Sequence, residues 1–278
     1  MILVAGATGK VGGALVAQLA AAGAPVRALV RDPARAALPD GVEAAVGDLT
    51  DAATLTPHLG GVDAMFLLWP FPTVESVDQL GVPLVDLLAE RVRRVVYLSA
   101  TAAADGPGGF WRAIERRIEA SGLEWTFLRP SGFAGNTLIW AEQIRAGDVV
   151  RWPFPDAARS LIDERDIAAV AARALSGDDL VGSRPILTGP QALTQAEQVR
   201  QIGQALGRPL RYQEISREAA REQLVAAFGD ERFADGALDT WAGFVEHPEQ
   251  VTSEVQEITG RRARTFRRWA IDHADAFR

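Results

Sequence analysis

Short apolar runs of four or five residues alternate, through the first two thirds of the chain, with longer stretches whose apolar positions recur every three or four residues. Strands are predicted at 2–6, 26–30, 43–46, 64–68, 94–98, 125–129 and 184–188, with helices at 10–22, 51–58, 75–90, 110–121 and 163–176. Runs such as Ala64-Met-Phe-Leu-Leu and Val95-Val-Tyr-Leu are apolar at every position, as strands buried on both faces require. Strand and helix in alternation predict a doubly wound parallel α/β sheet. After residue 190 the strand signal fades, and helices are expected at 194–206, 216–228, 232–246 and 263–277. The expected division is 1–190, built on the sheet, and 191–278, a smaller, mainly helical lobe to which 133–155 also contributes.

The first strand runs directly into Gly6, Gly9 and Gly12, spaced Gly-x-x-Gly-x-x-Gly, and then into an Ala/Leu/Val helix. A glycine-rich turn between a strand and a helix is the Rossmann cradle for a dinucleotide. One glycine permits the turn, one lets the backbone approach a pyrophosphate, and one allows the helix to pack closely. The helix amino end, with free N–H groups and a positive dipole end, faces the anion.

The second predicted strand ends in Val30-Arg31-Asp32-Pro33, the position that selects between dinucleotides. Arg31 would pair with a 2′-phosphate, whereas Asp32, about 20 residues past the glycines, stands where an acid would hold a ribose hydroxyl. Asp-Pro is also a turn starter, so Arg31 is assigned to the phosphate and Asp32 to the turn, with Lys10 or Arg35 as further cations. NADP(H) is therefore preferred and NAD(H) possible. Asp48, after the third strand, would accept from the adenine amine or cap the next helix.

Composition narrows the picture. With 278 residues the chain can bury a full core. It has no cysteine, which excludes disulfides and thiol chemistry, and a net charge of −7, which argues against nucleic acid as a partner. The arginines at 261, 262, 264, 267 and 268 are read as a solvated face. His58, His247 and His273 have no metal-ligand spacing, and Glu115 and Glu119 alternate with Arg112, Arg116 and Arg117 as exposed ion pairs would. No run is apolar enough to span a bilayer and no leader is read at the amino end, so a cytoplasmic protein without membrane contact is expected, as monomer or homodimer.

Gly-Ala-Thr-Gly-Lys-Val-Gly, Leu-Val-Arg-Asp-Pro, Gly-Asp-Leu, Tyr-Leu-Ser-Ala and Ser121-Gly-Leu-Glu-Trp-Thr-Phe-Leu-Arg-Pro-Ser-Gly-Phe, in this order, resemble the NmrA-like atypical short-chain dehydrogenase/reductases. The tail from Val251 to Thr259-Gly-Arg and Arg264-Thr-Phe is similar to theirs. The resemblance implies NAD(P) binding with a bias to NADP, in a family that holds quinone, enone and natural-product reductases as well as redox sensors without turnover. The candidate cofactor residues are Gly6, Thr8, Gly9, Lys10, Val11, Gly12, Arg31, Asp48, Leu49, Leu68, Trp69, Pro70, Ser99 and Pro130, and Arg129 with Pro130 is expected to set the loop beside the nicotinamide.

Lys10 is the only lysine, so the Tyr-x-x-x-Lys pair of the wider superfamily cannot be built. Tyr97 is followed at that spacing by Thr101 and Tyr212 by Ser216, and Trp111 stands where some NmrA-like reductases carry a lysine. What remains is hydride transfer by positioning onto an electron-poor carbon of a quinone, enone or iminium, with Ser99 as candidate acid. Seven tryptophans accompany two tyrosines. Trp69, Phe71, Trp111, Phe133, Asn136 and Trp140 follow strand ends or open helices, and are the candidate walls for a flat hydrophobic small molecule. The competing reading is an NADP(H)-binding sensor; sugar epimerisation is weakened by the same missing tyrosine.

Overall fold

The computed structural model describes residues 1–104 and 109–278. Strands run in chain order as β1 (Ile2–Val4), β2 (Val26–Val30), β3 (Glu43–Val46), β4 (Ala64–Leu68), β5 (Arg94–Leu98), β6 (Glu124–Pro130), β7 (Val149–Trp152), β8 (Ala158–Arg159), β9 (Ile186–Leu187), β10 (Leu193–Thr194) and β11 (Arg211–Glu214). The α-helices are α1 (Lys10–Ala21), α2 (Val74–Ser76), α3 (Val82–Arg91), α4 (Gly109–Glu119), α5 (Ala141–Ala146), α6 (Glu164–Ser176), α7 (Gln195–Leu206), α8 (Arg217–Phe228), α9 (Glu231–Glu246), α10 (Glu254–Thr259) and α11 (Phe266–Asp272).

Two compact units interleave along the chain. The first holds residues 1–130, 164–187 and 254–261, and the second 131–163, 188–253 and 262–278. The segment 133–155, expected in the smaller lobe, lies in the second unit, while α10 returns to the first and packs on α6.

The first unit is a seven-stranded sheet in the order β3-β2-β1-β4-β5-β6-β9, and every adjacent pair is parallel. Strand order reverses between β1 and β4, and such a reversal opens a crevice at the carboxyl ends of the strands. One face carries α1 and α6, packed on each other. A second cluster, including Met65, Leu67, Leu84, Leu88, Val95, Tyr97, Ile114 and Phe127, forms the core on the side of α3 and α4.

Two predicted helices are not regular α-helix. Residues Ala52–His58 form a 3-10 segment capped by Asp51 and interrupted by Pro57, which cannot donate a backbone hydrogen bond. The stretch predicted at 75–90 starts as α2, passes through a π turn at Val77–Gly81 and resumes as α3. Pro83 in the first turn of α3 removes the N–H that would have reached Gln79, and the ladder widens there.

The second unit is not free of strands. β7 pairs in parallel with β11, and β8 antiparallel with β10. These strands of two to four residues are too short to declare a period. Its core gathers Trp140, Ile144, Val150, Trp152, Ile202, Leu224, Leu238, Phe266, Trp269 and Phe277. Thr194 and Glu197 form a capping box at α7, and Ser216, Asp230 and Thr265 cap α8, α9 and α11.

Candidate functional site

The crevice at the β1/β4 reversal is a cleft of about 350 Å³ lined by Gly6, Thr8, Leu29, Val30, Arg31, Gly47, Asp48, Leu49, Thr50, Leu68, Pro70 and Phe71. Its floor explains the glycines. Gly6 has φ +63°, and a Cβ there would overlap the Leu68 side chain at the end of β4. A Cβ on Gly12 would stand 2.7 Å from the Gly6 carbonyl carbon and 3.1 Å from the Ala5 oxygen. The third glycine therefore lets α1 close against the turn itself. Gly9 donates its N–H to the Gly6 oxygen at 2.8 Å and is the N-cap of α1, with no side chain capping the helix and no acid in its first turn. This helix start is suited to a phosphate. Thr8 and Lys10 are exposed, whereas Val11 is buried on the sheet side and offers only its backbone.

Arg31 is exposed on the cleft edge. Asp32 accepts the Ala34 N–H at 3.0 Å and caps the 3-10 turn Pro33–Arg35, so its carboxylate serves the turn. Asp48 does not cap the following helix, a role taken by Asp51. One Asp48 oxygen accepts both the N–H and the hydroxyl of Thr50, each at 2.9 Å. Those two bonds, the backbone one foremost, and the charge of Arg31 hold the Asp48 carboxyl below its ordinary range. Thr50, Gly47, Leu29 and Val30 line the cleft unforeseen; Thr50 has a signal in the Asp-x-Thr spacing of an Asx turn.

Ser99 lies outside the cleft lining. Its hydroxyl donates to Glu115 Oε1 at 2.7 Å in a buried cluster. The same carboxylate receives the Arg129 fork, Nε at 2.9 Å and Nη2 at 2.6 Å, and Arg112 Nη1 at 3.0 Å. Glu115 is therefore not on a solvated face: it is fully buried and ties α4 to β5 and β6. A carboxylate accepting four donors from three side chains is a satisfied ion pair. Arg112 and Arg184 continue the network to Glu119, and Arg184 lies over the Trp125 ring at 4.4 Å. Tyr97 is buried with its hydroxyl unpartnered, and burial and the Glu115 charge push its pKa up.

The proposed aromatic walls divide. Phe71 lines the cleft with Pro70. Trp69 turns into the core, 6% exposed, its indole N–H donating to Ser76 Oγ at 3.3 Å and its ring edge-on to Phe71. Trp111 is half-buried against Phe110 at 4.1 Å. In the second unit Phe133 precedes the 3-10 segment Ala134–Trp140, and Asn136 is exposed within that segment and caps nothing. Trp140 is buried in the second core, edge-on to Trp152. Pro130 is buried at the end of β6, paired with Leu187. Among the described residues no group of three His, Cys, Asp or Glu could hold a metal ion, and no helix is long and apolar enough to cross a membrane.

Comparison with known proteins adds a family. Residues 1–235 match the NmrA-like family. The (4-alkanoyl-5-oxo-2,5-dihydrofuran-3-yl)methyl phosphate reductase of Streptomyces griseus is 41% identical over 286 aligned positions, covering 100% of this chain and 99% of that protein. The NAD(P)H azoreductase of Xenophilus azovorans is 36% identical, with coverage of 100% and 99%. Among solved structures, the Citrobacter sp. triphenylmethane reductase complexed with NADP(H) superposes with a TM-score of 0.84 at 20% identity, covering 99% of this chain and 100% of that one.

Proposed function

This chain belongs to the NmrA-like family and is an NAD(P)-dependent oxidoreductase, and from that premise we propose that it reduces a conjugated small molecule with NADPH. The preferred acceptor is an enone or unsaturated lactone, ahead of a quinone or iminium. The relative at 41% identity is named for a ring alkene that carries two carbonyls on one of its carbons, so that the other carbon accepts hydride without prior protonation.

The cleft fits the dinucleotide on its own geometry. Gly6 and Gly12 occupy positions where a Cβ would collide, and the uncapped start of α1 offers N–H groups to a pyrophosphate. Arg31 would take the 2′-phosphate, and Asp48, Leu49 and Thr50 would surround the adenine. When bound, the cofactor supplies the hydride.

The observation that carries the reading is the fate of the Ser99 proton. It is already donated to Glu115, inside a buried network. No Tyr/Lys pair stands in its place. The protein's part is then to bind, orient and exclude water. Hydride arriving at the β-carbon of an enone leaves an enolate whose α-carbon takes a proton from water, which balances the reduction.

The test is deuteride transfer from C4-labelled NADPH to an alkanoyl butenolide, a quinone, an iminium compound and a simple ketone, read by mass spectrometry. Label at the β-carbon of the butenolide, and none in the ketone, is expected. NADPH binding without label in any product overturns turnover and leaves a sensor.

A further inference from the structure

We propose that Ser76 is a positioning residue for the cofactor: it fixes Phe71 as the wall of the cleft on which the nicotinamide half of the dinucleotide rests, an inference that depends on the dinucleotide reading of that cleft. All the residues concerned belong to the first unit. The cleft has two sides. Arg31, Asp48 and Thr50 follow β2 and β3, whereas Leu68 ends β4 and Pro70 and Phe71 follow it, across the reversal of strand order. In a doubly wound sheet of this order the two halves of a dinucleotide lie on opposite sides of that reversal. With the 2′-phosphate assigned to Arg31, the β4 side receives the nicotinamide half. Phe71 supplies an aromatic face there, and a flat, uncharged dihydronicotinamide packs well on such a face.

Phe71 stands between Pro70 and Pro72, two exposed residues with no backbone N–H to anchor the stretch, and it owes its place to contacts behind it. Trp69, buried in the core, meets the Phe71 ring edge-on, the ring centres 5.0 Å apart. The indole N–H of Trp69 donates to Ser76 Oγ at 3.3 Å. That hydroxyl in turn faces the carbonyl oxygens of Thr73 at 2.7 Å and Phe71 at 3.1 Å, so that its one proton is shared between them. The Ser76 N–H closes the turn on Thr73 Oγ1 at 3.1 Å. One side chain thus ties the core tryptophan to the backbone of the cleft wall. The π turn at Val77–Gly81 makes this possible. It takes in one residue more than an α-turn, which rotates Ser76 by about 100° around the helix axis relative to α3. Gly81 leaves room for the indole, since a Cβ there would stand 3.3 Å from Trp69 Cη2 and 2.7 Å from Ile114 Cδ1.

The experiment is calorimetric titration of the full chain with NADPH and, separately, with adenosine 2′,5′-bisphosphate, which carries the adenosine side alone. Ser76→Ala is expected to weaken NADPH about fivefold, the scale of one hydrogen bond, and Phe71→Ala about tenfold, the scale of one aromatic contact. Both variants should bind the bisphosphate within about twofold of wild type. Ser76→Thr, which keeps the hydroxyl, restores most of the affinity. Because Ser76 acts through Phe71, the double variant should bind NADPH no more weakly than Phe71→Ala alone, a non-additivity that a merely structural loss does not produce. NADPH affinity at the wild-type level in Ser76→Ala, equal losses for the two ligands, or losses that multiply in the double variant overturn the role. Wild type that binds neither ligand overturns the dinucleotide reading of the cleft and the role of Ser76 with it. Binding without turnover of any acceptor sinks the reductase reading alone, while the same titrations still decide the role of Ser76.

Discussion

The two ends of the central sheet treat their arginines in opposite ways. At the amino ends of β5 and β6, Arg94 is 1% exposed and fully engaged. It reaches Glu124 Oε2 from Nε at 2.9 Å and from Nη2 at 2.6 Å, the carbonyl oxygens of Ala174 and Gly177 from Nη1, and Asp178 from Nη2. At the carboxyl ends of β2 and β3, Arg31 is exposed on a cleft, acting on Asp48 through charge, while Asp48 turns to Thr50. Polar groups whose partners are supplied by the chain hold the fold. Those whose donors remain available mark where something else binds, and the contrast separates stability from ligand affinity residue by residue.

The largest effect belongs to the closed end. Arg94→Leu leaves the carbonyl oxygens of Ala174 and Gly177 without their donor, while Glu124 keeps Arg93, and should cost about 3 kcal/mol, on the scale of about 1–3 kcal/mol for each buried acceptor left unsatisfied. Chemical denaturation should read this loss with KM for NADPH within about twofold of wild type, since the cleft lies at the other end of the strands. A large rise in KM with unchanged stability would invert the contrast.

At the open end the signs exchange. Arg31→Met should raise KM for NADPH by about ten- to a hundredfold, roughly 1.4–2.7 kcal/mol, while KM for NADH stays near its wild-type value and stability is unaltered. An equal loss with both cofactors would mean that Arg31 serves the cleft in general and that the 2′-phosphate is read elsewhere.

Much of this division was legible in the sequence. The apolar runs located the seven strands of the sheet, the glycine spacing located the turn at Gly6, and Asp32-Pro33 announced its own cap. What stayed hidden depends on partners distant in the chain. Glu115 sits among arginines at helical spacing and reads as solvent-facing, but its burial is set by Arg129 on β6 and Ser99 after β5. Trp69 follows a strand end as a crevice residue would, and only Ser76 and the close approach of Gly81 show that it points inward.

The smallest effect tests a polar group of the closed kind that the sequence had marked as chemical. Ser99→Ala removes one donor from Glu115, which keeps Arg129 and Arg112. A single hydrogen bond to a charged group with its other partners intact suggests a loss of about 1 kcal/mol or somewhat more in stability. Turnover of a conjugated acceptor should then change by no more than about threefold, with the pH profile of kcat unmoved, whereas loss of a general acid costs about a hundredfold or more and removes a limb of the profile. A fall of that size with the profile altered would return Ser99 to the chemistry, and would mean that its hydroxyl leaves Glu115 when substrate is bound.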